Sequence, residues 1–178
     1  MHGTLARSRS MTDIIKNAQL APVQEFRRMD ADGDGAVDRT DFLRAPHRLL
    51  AELGIPEDSP KGRALLDANE TQWTFLLSLG DADGDGILTA DEYVAARTSP
   101  GFRSPDRPGK GDVCRTLFDL LDSDDDGSLD EGEFLRAADY LCMSAAEARS
   151  YFEELDADGN GRLSPREFLK AVKRFYTS

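Results

Sequence analysis

Apolar and polar positions follow a helical period along this chain, and four acidic, glycine-bearing stretches interrupt it. Ahead of the interruptions, Phe26 and Met29, Trp73 and Leu77, Phe118 and Leu121, and Phe152 and Leu155 stand three or four residues apart, as one helical face requires. Phe42, Tyr93, Phe134 and Phe168 follow directly after them. The pattern predicts four repeats of helix, acidic loop and helix, an all-α fold. Its aromatic residues are accounted for as core by their spacing alone.

Helix starts are marked by capping chemistry. Ser164-Pro165-Arg166-Glu167 combines an N-cap, a proline at the first helical position and a capping-box glutamate, and Ser144 with Glu147 and Thr89 with Glu92 repeat the theme. The longest interval between repeats, from Phe42 to Gly80, holds a break at Gly54-Ile55-Pro56 and then a predicted helix from about Pro60 to Leu79. From Thr98 to Asp112, Pro100, Pro105 and Pro108 alternate with Gly101, Gly109 and Gly111, which reads as a linker. The organisation expected is a pair of repeats over 1–97, a linker over 98–111 and a second pair over 112–178. Residues 1–10 read as a flexible tail or tag, with Met11 a candidate natural start.

Composition narrows the partners. The 178 residues include 22 Lys and Arg against 34 Asp and Glu, a formal net charge of -12 that repels nucleic acid and anionic lipid and suits a cation. Hydrophobic residues make up 39%, enough for a core without staples. The two cysteines, Cys114 and Cys142, lack zinc-site spacing and are expected as reduced core thiols. No apolar run approaches transmembrane or signal-peptide form, so a cytoplasmic, monomeric protein is expected, with no membrane or nucleic-acid partner.

The four interruptions carry the chemistry. Each places oxygen-bearing residues at positions 1, 3, 5, 7, 9 and 12 of a twelve-residue loop with glycine at position 6, the arrangement that gives a hard cation such as Ca²⁺ its six to eight oxygens. Loop one supplies Asp30, Asp32, Asp34, the Ala36 carbonyl and Asp41, with Asp38 acting through water or as support; its glycine is Gly35. Loop two supplies Asp81, Asp83, Asp85, the Ile87 carbonyl and Glu92, with Thr89 in the supporting place and Gly86 at the turn. Loop three runs Asp122, Asp124, Asp126, Gly127, the Ser128 carbonyl, Asp130 and Glu133, and loop four Asp156, Asp158, Asn160, Gly161, the Arg162 carbonyl, Ser164 and Glu167. At position 8, Val37, Leu88, Leu129 and Leu163 are the apolar residues that would pair the loops through short antiparallel bridges.

The loops are not equivalent. Loop one ends in Asp41, a methylene shorter than glutamate, which predicts a looser or six-coordinate site with the greatest tolerance of Mg²⁺. Loop four has fewer carboxylates and places Arg162 nearby, which predicts weaker binding than at loop three.

With these motifs the chain resembles the EF-hand proteins. Its four hands and lengthened first-to-second interval are most similar to the sarcoplasmic calcium-binding proteins and their bacterial relative calerythrin. The resemblance covers nearly the whole chain and implies two pairs of hands facing each other in one globule, up to four Ca²⁺ ions and an intracellular buffer or carrier role. One or two loops are commonly degenerate in that family, whereas all four keep their ligands here. The alternatives are a calcium sensor that exposes an apolar surface to a target protein and, more remotely, a photoprotein-like enzyme enclosing a luciferin. Only Met29 and Met143 lie outside the N-terminal tail, which disfavours a Met-rich target groove. A luciferin cavity would need several His, Tyr and Trp residues, yet Trp73 is the sole tryptophan and His2 and His47 the sole histidines, so no enzymatic role is expected.

Overall fold

One long helix organises the chain. In the computed structural model, which describes residues 22–104, 106–108, 110–141 and 143–169, it runs from Pro60 to Gly80. At about 1.5 Å per residue it is roughly 30 Å long, enough to reach from one pair of loops to the other. Ser59 caps it, its Oγ accepting from the Gly62 N–H at 3.0 Å, and Pro60 takes the first position, where a missing N–H costs nothing. Its limits agree within one residue with the Pro60–Leu79 helix expected from the sequence.

In chain order the elements are α1 (Pro22–Met29), β1 (Ala36–Val37), α2 (Arg39–Leu53), α3 (Pro60–Gly80), β2 (Leu88–Thr89), α4 (Ala90–Thr98), α5 (Pro100–Arg103), α6 (Lys110–Leu121), β3 (Leu129–Asp130), α7 (Glu131–Leu135), α8 (Ala145–Leu155) and β4 (Arg162–Leu163). Residues 165–169 are again helical. β1 pairs antiparallel with β2, placing Val37 opposite Leu88, and β3 pairs with β4, placing Leu129 opposite Leu163. All four position-8 residues therefore meet as expected, and each is fully buried. α2 ends where Gly54 adopts φ 65° and its N–H reaches back to Ala51 and Leu50, a left-handed cap that glycine accepts without steric cost. The expectations for residues 1–10 and Met11, and for Cys142 as a core thiol, lie outside the described residues; Cys114 is buried.

Two cores form. The first gathers Phe26, Val37, Trp73, Leu76, Leu88 and Tyr93 around loops one and two. The second gathers Leu117, Phe118, Phe134, Phe152 and Phe168 around loops three and four, and it also takes in Leu49 and Leu50 of α2 and Leu65 of α3. The N-terminal half of α3 thus packs with the second pair and its C-terminal half with the first. Ring contacts lie within each core, Phe42 on Trp73 at 5.3 Å and Phe118 edge-on to Phe168 at 5.6 Å. A buried polar link crosses the seam: Asn69 of α3 donates to the Leu65 carbonyl at 2.8 Å and accepts from the Tyr140 hydroxyl at 3.1 Å.

The segment read as a linker is docked. Phe102 on α5 is buried in the first core, and the guanidinium carbons of Arg97 and Arg107 each lie 4.1 Å from its ring centroid. Arg97 also grips Glu25 of α1 bidentately, at 2.7 and 2.6 Å, in a largely buried pair that ties the helix before loop one to the helix after loop two. Pro100 and Gly101 lie within α5 and Gly111 within α6, and a composition of prolines and glycines carries no information about a single aromatic that anchors the segment.

Close packing at Gly80 gives a direct check. A Cβ there would stand 2.6 Å from the Glu92 carbonyl oxygen and 2.8 Å from the Ala96 Cβ, so Gly80→Ala is expected to destabilise the fold by about 1–3 kcal/mol through overpacking. Tyr140→Phe would remove the partner of a buried amide oxygen and is expected to cost about 1–3 kcal/mol. Urea unfolding of each variant measures both, and an unchanged midpoint would remove the tight approach or the seam bond from the account.

Candidate metal centre

Each acidic loop is folded around its first aspartate. The position-6 glycines Gly35, Gly86, Gly127 and Gly161 all adopt φ between 77° and 87°, and their N–H groups donate to Asp30, Asp81, Asp122 and Asp156 at 3.2, 3.1, 3.0 and 2.8 Å. Position 5 turns in the same way: Asp34, Asp85, Asp126 and Asn160 accept from the N–H of Ala36, Ile87, Ser128 and Arg162 at 2.7–3.0 Å. The loops are thus pre-shaped by backbone donors that hold like charges together. Position 4 is also left-handed, occupied by Gly33, Gly84 and Gly159 in three loops and by Asp125, with φ 54°, in loop three. Aspartate tolerates that region better than most side chains.

Oxygens converge in all four. One ligand atom from each of Asp30, Asp32 and Asp34 lies within 4.8 Å of the others, and the same holds for Asp81, Asp83 and Asp85, for Asp122, Asp124 and Glu133, and for Asp156, Asp158 and Glu167. Asp41, Glu92 and Asp126 are not in these sets. Ala36 and Arg162 lie in β1 and β4, while Ile87 and Ser128 immediately precede β2 and β3, so the position-7 carbonyls sit where the strands leave the loops. The donor set is all oxygen and fits a hard divalent cation. Asp30 Oδ1 supports the fit: it is buried and accepts no hydrogen bond, leaving lone pairs that a cation would take.

Position 9 has a definite role. The side chains of Asp38, Thr89, Asp130 and Ser164 cap the following helices by accepting from the N–H of Asp41, Glu92, Glu133 and Glu167 at 2.8, 3.5, 2.8 and 3.3 Å. The position-12 residue reciprocates. Glu92, Glu133 and Glu167 each accept from the position-9 N–H with one oxygen and from the N–H of Ala82, Ser123 or Ala157 with the other, closing the loop from end to end. Hydrogen bonds from the Thr89 N–H and hydroxyl hold the Glu92 carboxyl below its usual range, and those from the Ser164 hydroxyl and N–H do the same for Glu167.

Loop one closes differently. Asp41 accepts from the Asp38 N–H at 3.4 Å with one oxygen, but its other oxygen is taken by Arg44 at 2.7 Å, and among the described residues no bond joins it to Ala31. The missing methylene explains why: the carboxylate stops short of the far side of the loop. Arg44 could be found in the sequence as a basic residue three positions on, where helix geometry brings side chains together. The Arg162 charge is also redirected. Its side chain leaves its own loop and reaches Asp126 and the Ser128 Oγ of loop three. Hydrogen bonds from the Ser128 hydroxyl, followed by those from the Ser128 N–H and Arg162, hold the Asp126 carboxyl below its ordinary range.

Comparison with known proteins agrees with this geometry. Residues 112–173 match the model of an EF-hand domain pair, and residues 23–44 match that of an EF hand. Calerythrin of Saccharopolyspora erythraea is 28% identical over 141 residues, covering 78% of each chain. A calcium-binding protein of Streptomyces coelicolor, described in connection with prokaryotic calcium-mediated regulation, is 29% identical with a TM-score of 0.70, over 92% of this chain and 98% of that one. Two other solved structures share the fold alone. A sarcoplasmic calcium-binding protein from amphioxus is 19% identical, with a TM-score of 0.60 over 93% and 91% of the two chains. A light-sensitive photoprotein is 16% identical, with a TM-score of 0.71 over 100% and 89%. With four loops built alike and bridged in two pairs, the chain carries EF-hand domains over residues 23–44 and 112–173 and is similar over most of its length to EF-hand calcium-binding proteins.

Proposed function

We propose that this chain is a monomeric, cytoplasmic Ca²⁺ buffer or carrier with four sites and no catalytic role. The observation that carries the proposal is the burial of its apolar side chains. Among the described residues, the one large hydrophobic that stands exposed is Val23. Met143 is buried in the second core and Met29 packs against the first, so neither is presented to a target helix. No described helix is long and apolar enough to cross a membrane. Bound Ca²⁺ would supply charge that offsets the clustered carboxylates, and the protein's part is to present oxygens at fixed spacing.

In this reading each site uses its position 1, 3, 5 and 12 side chains and its position-7 carbonyl, as set out from the sequence. Loop one is the site with the most tolerance of Mg²⁺, because Asp41 neither reaches across the loop nor keeps both oxygens free of Arg44. A second reading, a calcium-responsive regulator with a protein target, is favoured by the similarity to the Streptomyces coelicolor protein. The two differ in what loading does to the surface.

Binding of an apolar dye, followed through a Ca²⁺ titration together with the hydrodynamic radius, separates them. The buffer reading expects compaction with no rise in dye binding, whereas a large Ca²⁺-dependent rise, or retention on a hydrophobic resin, would establish the regulator instead. For loop one, Asp41→Glu is expected to raise the preference for Ca²⁺ over Mg²⁺ on the order of tenfold, equivalent to about 1.4 kcal/mol. Calorimetric titration with and without Mg²⁺ reads this, and an unchanged ratio would refute the assignment.

A further inference from the structure

Loop three differs from its neighbours in where its position-5 carboxylate lies. In loops one and two, Asp34 and Asp85 join the converging aspartates; in loop three the converging set is Asp122, Asp124 and Glu133, and Asp126 is not in it. Asp126 Oδ1 accepts from the Ser128 N–H and hydroxyl at 2.9 and 2.7 Å, and Oδ2 accepts from Arg162 Nη1. The arginine comes from the other loop of the pair. It stands opposite Asp130 across the β3–β4 bridge, and the same Nη1 donates to Ser128 Oγ at 2.9 Å. Asp124 and Asp130 also face the guanidinium. Lys61 of α3 reaches this loop as well, but at Asp125, which is not a ligand position.

We infer that Arg162 sets the cation affinity of loop three by holding Asp126 as an internal counter-cation that an incoming divalent ion must displace. The inference rests on the proposed ligand role of Asp126. Two effects oppose the incoming ion: the Nη1 contact ties up one oxygen of a carboxylate the site needs, and a positive charge stands beside the place where two more must arrive. The arginine side chain is 47% exposed, so displacement costs it little and lets it turn to water. No counterpart exists at loops two or four, where position 5 is Asp85 or Asn160 and no described arginine or lysine bonds to it. Because the backbone of Arg162 occupies position 7 of loop four, the exchange also links the two sites of the pair, and any such coupling acts equally in both directions. The carboxylate count that predicts weaker binding at loop four than at loop three therefore leaves out a cation acting on the richer loop.

The test is a titration with chelator-buffered Ca²⁺ followed by ¹H–¹⁵N NMR, in which the Gly86, Gly127 and Gly161 amides report loops two, three and four separately. Each donates to the first aspartate of its own loop. Arg162→Gln is expected to lower the Ca²⁺ midpoint at Gly127 by roughly threefold to tenfold while leaving Gly86 unmoved, and the gain should shrink below about twofold in an Asp126→Asn background. A Gly127 midpoint that stays put or rises in Arg162→Gln would overturn the inference. An equal gain with and without Asp126 would overturn it too, because the arginine would then act only through its general field. If no glycine amide of the unaltered protein responds to Ca²⁺, the calcium-binding reading itself fails, which the Gly86 and Gly161 signals reveal independently of Arg162.

Discussion

Carboxylates crowded into short loops are the constraint from which the rest of this structure follows. Left to themselves they would repel; here nearly every one is met by a backbone N–H. Position-1 aspartates take the donor of the position-6 glycine, position-5 residues take that of position 7, and the glutamates at position 12 bind both ends of their loops. The last residues of each loop also lie at a helix N-terminus, where position 9 caps and position 12 completes the capping box, so the positive end of the helix dipole faces the acidic cluster. Donation of this kind lowers the cost of keeping Glu92 and Glu167 charged. A cation completes an arrangement the backbone has already begun.

Such loops need rigid supports, and pairing provides them. Val37 against Leu88 and Leu129 against Leu163 join the loops two by two, and each residue is fully buried, so the bridges double as the floor of a core. The pairs are in turn joined through α3, whose leucine at 65 belongs to one core and whose Trp73 belongs to the other. The Asn69–Tyr140 bond makes that seam specific: a slipped helix would leave a buried amide without its partner.

Most of this was legible in the sequence because it is local. The acidic loop positions, the turn glycines, the capping boxes at Thr89, Ser144 and Ser164 and the limits of α3 all depend on residues a few places apart, and the chain shows them without a structure. What escaped depends on distance in the chain. Arg97 reaches Glu25, Tyr140 reaches Asn69 and Arg162 reaches Asp126 over 72, 71 and 36 residues, and no periodicity announces such partners. Gly80 was invisible for another reason: the need for a missing Cβ arises from the approach of α4, which pattern cannot foresee. The 98–111 segment reads as a linker from its prolines and glycines, yet Phe102 docks it, since one buried ring outweighs a composition suited to turns. Asp41 was flagged by its length alone; Arg44 shows what the shortened side chain does instead.

As proposed, all four loops hold Ca²⁺, with loop one closed by different chemistry. Equilibrium dialysis of the metal-stripped protein against buffered Ca²⁺, with bound ion counted per chain, tests it most directly. Four equivalents are expected at saturation, one of them lost when excess Mg²⁺ is present. Three or fewer equivalents at saturating Ca²⁺ without Mg²⁺ would contradict it.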